Sequence, residues 1–291
     1  MRNSGLLASL RSDRIALVAA IWLLLVVCIA LVGPELVGKA ATGLDLRARN
    51  APPFDFSRGW VHWLGSDALG RGILARIFLA ARTTLGIAVA SVLVSLLVGG
   101  TLGIIAGLSR GRLGKVIMRS TDVIMSFPSL LMALIVLYVL GGAPANLVIV
   151  LAITRLPVYV STARAEVLEI RERAFINAAR VMGAGQVHIA LRHIAPLVLP
   201  TLLIIGSLDF AYVMLAESAL SFLGMGVQPP SITWGLMVAE GRGYLNSAWW
   251  LSFWPGLFIM LTALSANLLA SWFRVAGDPT LRASHGSSSH A

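Results

Sequence analysis

Charged residues are scarce in this sequence. Asp, Glu, Lys and Arg make up 12% of its 291 residues, whereas soluble domains carry about 25%. A water-soluble protein needs charged side chains over its surface, so this shortage argues against a soluble globular fold. Hydrophobic residues make up 57% of the chain and are gathered into long blocks, which is typical of membrane-spanning helices.

The sequence has only one cysteine, and common enzyme motifs are missing. The single Cys28 excludes an internal disulfide and a cysteine metal cluster. Gly114-Lys115 is followed by Val116, so it does not fit the G-x-x-x-x-G-K-[ST] loop that binds nucleotide phosphates. We also find no H-E-x-x-H and no G-x-S-x-G. The sequence therefore predicts a protein that is not an enzyme, with no metal or other cofactor of its own.

The positive charge does not indicate nucleic-acid binding. The formal net charge is +10, but the Arg residues lie between apolar blocks and form no continuous basic segment. Basic loops beside membrane spans explain this distribution better. The partner indicated by composition is therefore the lipid bilayer.

Six apolar segments of about 20 residues predict an all-α polytopic membrane protein. Each segment is long enough to cross the hydrocarbon core as one helix. The predicted spans are 15–33, 84–108, 121–141, 145–165, 197–221 and 249–272.

The basic loops predict the orientation, because short cytoplasmic loops are enriched in Lys and Arg. The tail 1–14 and the loops 109–120 and 166–195 are all basic. With an even number of spans these segments lie on the same side, so both termini are predicted to be cytoplasmic. The Ser- and His-rich tail 276–291 is predicted to be disordered.

The long segment 34–83 is also basic, but long loops cross membranes with less regard to charge. We assign it to the extracytoplasmic side. Within it, Arg71, Arg76 and Arg82 alternate with apolar residues over 70–83. This pattern predicts an interfacial amphipathic helix that leads into the second span.

The 166–195 loop is too long to be a simple connector. Phe175, Ala179 and Met182 recur at i, i+4 and i+7, which predicts a helix with one apolar stripe. Gly183 is expected to end this helix, because glycine is favoured just after a helix C-terminus.

A second short helix is predicted from about Gln186 to His193, with Pro196 marking its end. Two short helices joined at a glycine corner would fit a groove on a soluble partner. The alternative is an amphipathic hairpin lying on the inner membrane surface.

Several motifs resemble one family. Asn177-Ala178-Ala179-Arg180-Val181-Met182-Gly183, followed after ten residues by Ile194-Ala195-Pro196, resembles the EAA loop of ABC-importer permeases. The segments 64–72, 122–128 and 219–235 resemble permeases of the dipeptide, oligopeptide and nickel class. Together these motifs cover roughly residues 60–282 and are similar to the C-type subunit of that class.

The resemblance implies a type I ABC-importer permease fold with a core domain at 84–275. It implies an inner-membrane protein that pairs with a second, B-type permease as a heterodimer. Two ATP-binding subunits, which hold ATP and Mg, and an extracytoplasmic substrate-binding protein would complete the importer. The implied cargo is di- or oligopeptides, with nickel or another metal chelate as the alternative.

In this family the EAA loop couples the permease to the ATPase. The residues implied in that coupling are Arg173, Phe175, Ile176, Asn177, Ala178, Ala179, Arg180, Met182 and Gly183. The sequence departs from the family pattern in three places, because Asn177 replaces the usual Glu, Ala195 a Leu and Leu197 an Asn. The loss of the Glu removes a possible charged contact with the ATPase.

Ionisable and polar residues in or near the spans form a second candidate site. Charges at membrane depth are costly, so they usually face protein or water. Asp122, Arg155, Glu217 and Ser221 could border the translocation path or the subunit interface. The alternative is internal pairing, for example of Arg155 with an acid.

A stand-alone channel or secondary transporter is the rival class. It would need coupling acids at mid-membrane and commonly shows an inverted repeat. Few such acids and no such repeat are apparent in the sequence.

Overall fold

The computed structural model describes residues 13–277, which are largely helical. The two terminal tails, including the predicted cytoplasmic N-terminus and the predicted disordered C-terminus, lie mostly outside these described residues. The helices are α1 (Arg14–Thr42), α2 (Ile73–Val94), α3 (Gly100–Leu108), α4 (Arg112–Met125), α5 (Ser129–Leu140), α6 (Pro144–Ile170), α7 (Ala174–Val181), α8 (Gln186–Ile189), α9 (Ala195–Phe222), α10 (Trp234–Gly241) and α11 (Trp250–Gly277).

Wide π-type turns join two pairs of these helices. Ser95–Gly99 links α2 to α3, and Ala190–Ile194 links α8 to α9. Within the described residues, five continuous helical stretches are long and apolar enough to cross a membrane. They are Arg14–Thr42, Ile73–Leu108, Pro144–Ile170, Gln186–Phe222 and Trp250–Val275.

The predicted third span, 121–141, is wrong as a continuous helix. α4 ends at Met125, α5 begins at Ser129, and the two axes are bent by 89°. The break occurs at Pro128, which disfavours helical backbone at the preceding residue. The total is six spans if this bent pair is counted as one and five if it is not.

The helix boundaries differ from the prediction in two further places. α1 continues through Pro34 to Thr42, well past the predicted end at residue 33. The predicted interfacial helix at 70–83 is not a separate element, because the helix that begins at Ile73 continues without a break into the second span. Its Arg76 is only 4% exposed and packs inside the protein, so it does not lie on the outer polar face that the amphipathic pattern suggested.

The chain divides into two compact units. The first comprises the described residues 13–88 and 210–277, in which α1 and α10 both pack on α11. The indole nitrogen of Trp22 donates a hydrogen bond to the Thr262 hydroxyl at 3.2 Å. The buried Trp234 donates from its ring nitrogen to the Ile77 carbonyl at 3.0 Å and so fixes the start of α10.

The second unit comprises residues 89–209, and its central contact is between α3 and α6. Glycines on one face of α3 allow a close approach of the two backbones. A Cβ atom at Gly103 would lie 2.6 Å from the Cβ of Ala163, and one at Gly107 would lie 2.6 Å from the Cβ of Val167. Small residues spaced by four are a common device for packing helices inside membranes.

Candidate functional site

The 171–190 segment contains the helical corner that the sequence predicts. Gly183 has φ +86°, a left-handed conformation that suits glycine. The N–H of Gly183 donates to the Arg180 carbonyl at 3.0 Å, and the N–H of Ala184 donates to the Ala179 carbonyl at 3.0 Å. These bonds satisfy carbonyls at the C-terminal end of α7, so the predicted helix end at Gly183 is confirmed.

The predicted end of the second helix at Pro196 is wrong. α8 continues through the turn Ala190–Ile194 into α9, giving one helical stretch from Gln186 to Phe222. Proline has no N–H and clashes with the carbonyl four residues before it in a regular helix. The wide turn directly before Pro196 relaxes that geometry, so the helix continues.

One side of the segment is buried against the long helices of the second unit. Ile176 of α7 and Ile189 of α8 are 0% and 2% exposed. They belong to one hydrophobic core with residues of α6, of the turn Ala190–Ile194 and of α9, namely Tyr159, Ala163, Val167, Ile170, Ile194, Val198 and Leu202. A displacement of α7 must therefore be transmitted to α6 and α9, because a packed core does not deform freely.

The other side of the segment exposes apolar side chains. Phe175, Val181 and Met182 are 44%, 89% and 81% exposed. The predicted stripe of Phe175, Ala179 and Met182 is therefore only partly correct, because Ala179 is buried with Ile176. Periodicity finds the apolar residues of a short helix but does not tell which of them pack inward.

Polar contacts stabilise the first half of the segment. Arg173 forms an ion pair with Glu169 at 2.8 Å, and Arg171 donates to the Gly107 carbonyl at 2.8 Å. The side-chain oxygen of Asn177 accepts a hydrogen bond from Arg180 at 3.0 Å. Asn177, which replaces the Glu of the family pattern, thus bonds within its own helix.

Arg155 is paired within the second unit. Its guanidinium donates to the Asp209 carboxylate, joining α6 to α9. Internal pairing, the alternative that the sequence left open for Arg155, is the arrangement observed.

Glu217 and Ser221 are bonded to each other in the first unit. The Ser221 hydroxyl donates to Oε1 of Glu217 at 2.7 Å, and the Thr233 hydroxyl donates to the same atom at 2.8 Å. Glu217 is 1% exposed, and its Oε2 atom has no hydrogen-bond partner among the described residues. The pair therefore connects α9 to the residue that precedes α10.

Asp122, the fourth candidate, lies in the second unit. It is exposed on α4 and lines a cavity of about 820 Å³ that is otherwise rich in basic side chains. Within the second unit, Asp122 thus lines an open cavity, whereas Arg155 is held in an ion pair.

Sequence reasoning missed a buried charge network in the first unit. Arg76 donates to Asp67 at 2.7 Å and to Glu240 at 2.8 Å, and Arg71 also pairs with Asp67, at 2.6 Å. These four side chains line a cavity of about 370 Å³. Residues 67–71 form a turn and not a helix, so the spacing of Asp67 and Arg71 gives no signal, and Glu240 is 164 residues from Arg76 and gives none either.

Comparison with known proteins identifies related sequences. Residues 99–283 match the family described as binding-protein-dependent transport system inner membrane component. A di/tripeptide transport system permease protein of Pseudomonas aeruginosa is 41% identical, covering 75% of this chain and 72% of that protein. A glutathione transport system permease protein of Pectobacterium atrosepticum is 35% identical, covering 93% and 88%.

A nickel transport system permease protein of Escherichia coli K12 is 36% identical to this chain, covering 83% of it and 87% of the nickel protein. Among solved structures, an inward-facing MetNI methionine ABC transporter matches with a TM-score of 0.53 and 19% identity, covering 71% of this chain and 96% of that one. At this level of identity the structural match supports the fold alone.

Proposed function

Because the chain belongs to the family of binding-protein-dependent transport system inner membrane components, we propose that it forms half of the translocation path of an ATP-driven peptide importer. It is an inner-membrane protein with the fold of an ABC-importer permease. The other half would come from a second permease subunit. A substrate-binding protein on the outer side would deliver the cargo.

Di- or oligopeptides are the proposed cargo. The di/tripeptide and glutathione permeases, at 41% and 35% identity, support this assignment. The nickel permease, at 36% identity over a similar share of the chain, keeps a metal chelate as the second candidate.

An uptake assay on the complete transporter distinguishes these cargoes. Proteoliposomes that contain all subunits and receive the loaded binding protein should accumulate a labelled dipeptide in the presence of ATP and Mg²⁺. Unlabelled tripeptide should compete, and nickel without a peptide should not be taken up. ATP-dependent nickel uptake without peptide uptake would overturn the peptide assignment.

ATP hydrolysis is assigned to separate subunits. The lack of a phosphate-binding loop in this sequence supports that assignment. ATP and Mg²⁺ would bind to two such subunits on the cytoplasmic side, where the basic loops and both termini of this chain are predicted to lie.

The 171–190 segment is the proposed contact with the ATPase. The observation that carries this proposal is that the segment has an exposed apolar surface at Phe175, Val181 and Met182 on one side. Exposed apolar surface outside the spans marks interaction sites. The exposed residues assigned to docking are Arg173, Phe175, Asn177, Ala178, Arg180 and Met182, with Gly183 setting the corner.

The other side of the segment supplies the mechanical connection. Ile176 and Ala179 are buried, and Ile176 packs into the core that includes α6 and α9. When the ATPase subunits close on ATP, a displaced α7 would carry these helices with it. We infer an alternating-access cycle in which this motion opens the path outward, and the binding protein then releases its cargo.

Met182→Asp tests the docking surface. A carboxylate at this exposed apolar position would be desolvated on docking, so the ATP-binding subunits should dissociate from the purified complex while the amount of permease in the membrane stays unchanged. Leu245→Asp is the control, because Leu245 is a similarly exposed apolar residue in the loop predicted to lie outside. Normal ATPase retention by Met182→Asp would contradict the docking role.

A further inference from the structure

A large basic cavity in the second unit has no role in the transport cycle described above. It has a volume of about 820 Å³ and lies between α4 and the C-terminal half of α6. Its ionisable lining residues are five cations and one acid, namely Arg110, Lys115, Arg119, Arg164, Arg171 and Asp122. The excess of four positive charges favours an anionic ligand.

Most of these cations are not neutralised by the protein. Arg171 pairs with Glu172 at 3.0 Å and donates to a backbone carbonyl. The other four basic side chains form no ion pair with any described residue. The Nε atom of Arg164 is buried and has no hydrogen-bond partner within the described part of the chain. The cavity therefore has unbalanced positive charge, and one of its lining residues, Arg164, has a buried donor atom without a partner.

The wall formed by α4 is amphipathic. Lys115, Arg119 and Asp122 recur at i, i+4 and i+7 and line the cavity. Away from this polar face, Leu113, Val116 and Val123 are 57%, 60% and 60% exposed. A helix with cations on one face and exposed apolar residues on another is typical of the membrane interface, where it lies at the level of the lipid headgroups.

From this geometry we propose that the cavity binds the phosphate headgroup of an anionic phospholipid of the cytoplasmic leaflet. The exposed apolar residues of α4 favour a lipid over a soluble phosphate, because acyl chains would cover them while the headgroup meets the cations. The proposal relies on the predicted orientation, which places the basic 109–120 loop at the cytoplasmic surface. Basic pockets between membrane helices on that side are suited to anionic headgroups.

The site adjoins the segment assigned to ATPase docking. Ser109 and Arg110 line both the basic cavity and a second cavity of about 390 Å³, which is also lined by Arg180 and Gln186. A bound headgroup would hold the 109–111 turn beside α7 and α8. Anionic lipid is therefore expected to raise the transport rate as well as to bind.

The test compares lipid retention by the complete transporter in nanodiscs of phosphatidylcholine, with and without phosphatidylglycerol. The variant combines Lys115→Gln and Arg119→Gln, two exposed residues whose replacement leaves the core intact. Arg274→Gln is the charge-matched control, because Arg274 is exposed in the last turn of α11 and is predicted to lie on the same side. Native mass spectrometry counts the phosphatidylglycerol that stays bound.

Wild type and Arg274→Gln should retain phosphatidylglycerol and transport faster in its presence. The double variant should bind it roughly tenfold more weakly and lose the rate increase. Equal retention by the double variant would overturn the proposal. Displacement of a fluorescent phosphatidylglycerol by inorganic phosphate would also overturn it, since a soluble anion would then suffice. Loss of the ATP-binding subunits with lipid binding unchanged would instead assign the cavity to protein docking.

Discussion

Two ionisable groups buried among the helices have polar partners nearby. Arg155 pairs with Asp209, and Glu217 accepts hydrogen bonds from Ser221 and Thr233. A lone charge at membrane depth is costly, so these contacts explain how such apolar helices carry ionisable groups. They also connect elements that are distant in sequence, which gives the residues a structural role.

The Arg155–Asp209 ion pair should contribute strongly to the stability of the folded protein. Arg155→Ala leaves the Asp209 carboxylate buried without its partner, which should destabilise the protein by about 3 to 5 kcal/mol. The measurement is the thermal midpoint of the purified transporter, obtained from the fraction that remains monodisperse in size-exclusion chromatography after heating.

A double variant serves as the control for that pair. Arg155→Met combined with Asp209→Leu removes both charges together, so most of the lost stability should return. A double variant as unstable as Arg155→Ala would show that the charge pair is not the cause.

Gly183 provides a second test at the scale of one residue. Its φ of +86° is strongly disfavoured for a β-branched side chain, so Gly183→Val should misplace α7 and uncouple ATP hydrolysis from transport. Membrane insertion should be unaffected, because the residue lies outside the apolar core of the spans.

Gly185→Val is the matched control for the glycine corner. Gly185 lies two residues further on, has φ −68°, and has no atom near the position of an added Cβ, as is also true of Gly183. Valine at 185 should retain coupled transport. If Gly183→Val hydrolyses ATP and transports as wild type does, the corner is not needed for coupling.

Among the helices, the contact of α3 with α6 depends most on small side chains. Gly99, Gly103 and Gly107 recur every fourth residue and face Tyr159, Ala163 and Val167. The same α6 residues belong to the core that holds the 171–190 segment. The packing of α3 therefore sets the position of the helix to which the docking segment is attached.

Gly103→Leu should disrupt this helix contact. Even a Cβ atom would be 2.6 Å from both the Ala163 Cβ and the Val160 carbonyl oxygen, so the helices must separate. The expected cost is about 3 kcal/mol, at the upper end of the range for overpacking. Gly86→Leu is the control, because nothing lies within 4 Å of a Cβ at that helical glycine. Equal thermal midpoints for the two variants would contradict the close packing of α3 on α6.

The sequence predicts which segments are helical better than it predicts where the helices bend and end. Length and hydropathy locate the five continuous spans of the described residues, because about 20 apolar residues have few other solutions. The bend at Pro128 is not predicted, since the average hydropathy of 121–141 is unaffected by a break within it. At Pro34 the error is the reverse: the prediction ended α1 near this proline, but membrane helices tolerate proline and α1 continues.

For the whole molecule, composition and motifs determine the class and tertiary contacts determine the sites. The resemblance to the peptide and nickel class of ABC permeases is confirmed by the family match and by relatives at 35 to 41% identity. The burial of Arg76 could not be predicted, because one of its two acidic partners, Glu240, comes from α10, which is distant in sequence. Whether Phe175 and Ala179 face outward or inward could not be predicted either, because it depends on which side of α7 packs against the core of α6 and α9.

The central claim is that this chain works only as one subunit of a larger pump. The most direct measurement is to purify it from native membranes in mild detergent, identify the accompanying chains by mass spectrometry, and assay the complex and the isolated chain in proteoliposomes. We predict that a second permease and ATP-binding subunits accompany it, and that uptake requires them together with ATP. Transport by the isolated chain, driven by an ion gradient or by diffusion, would contradict the claim.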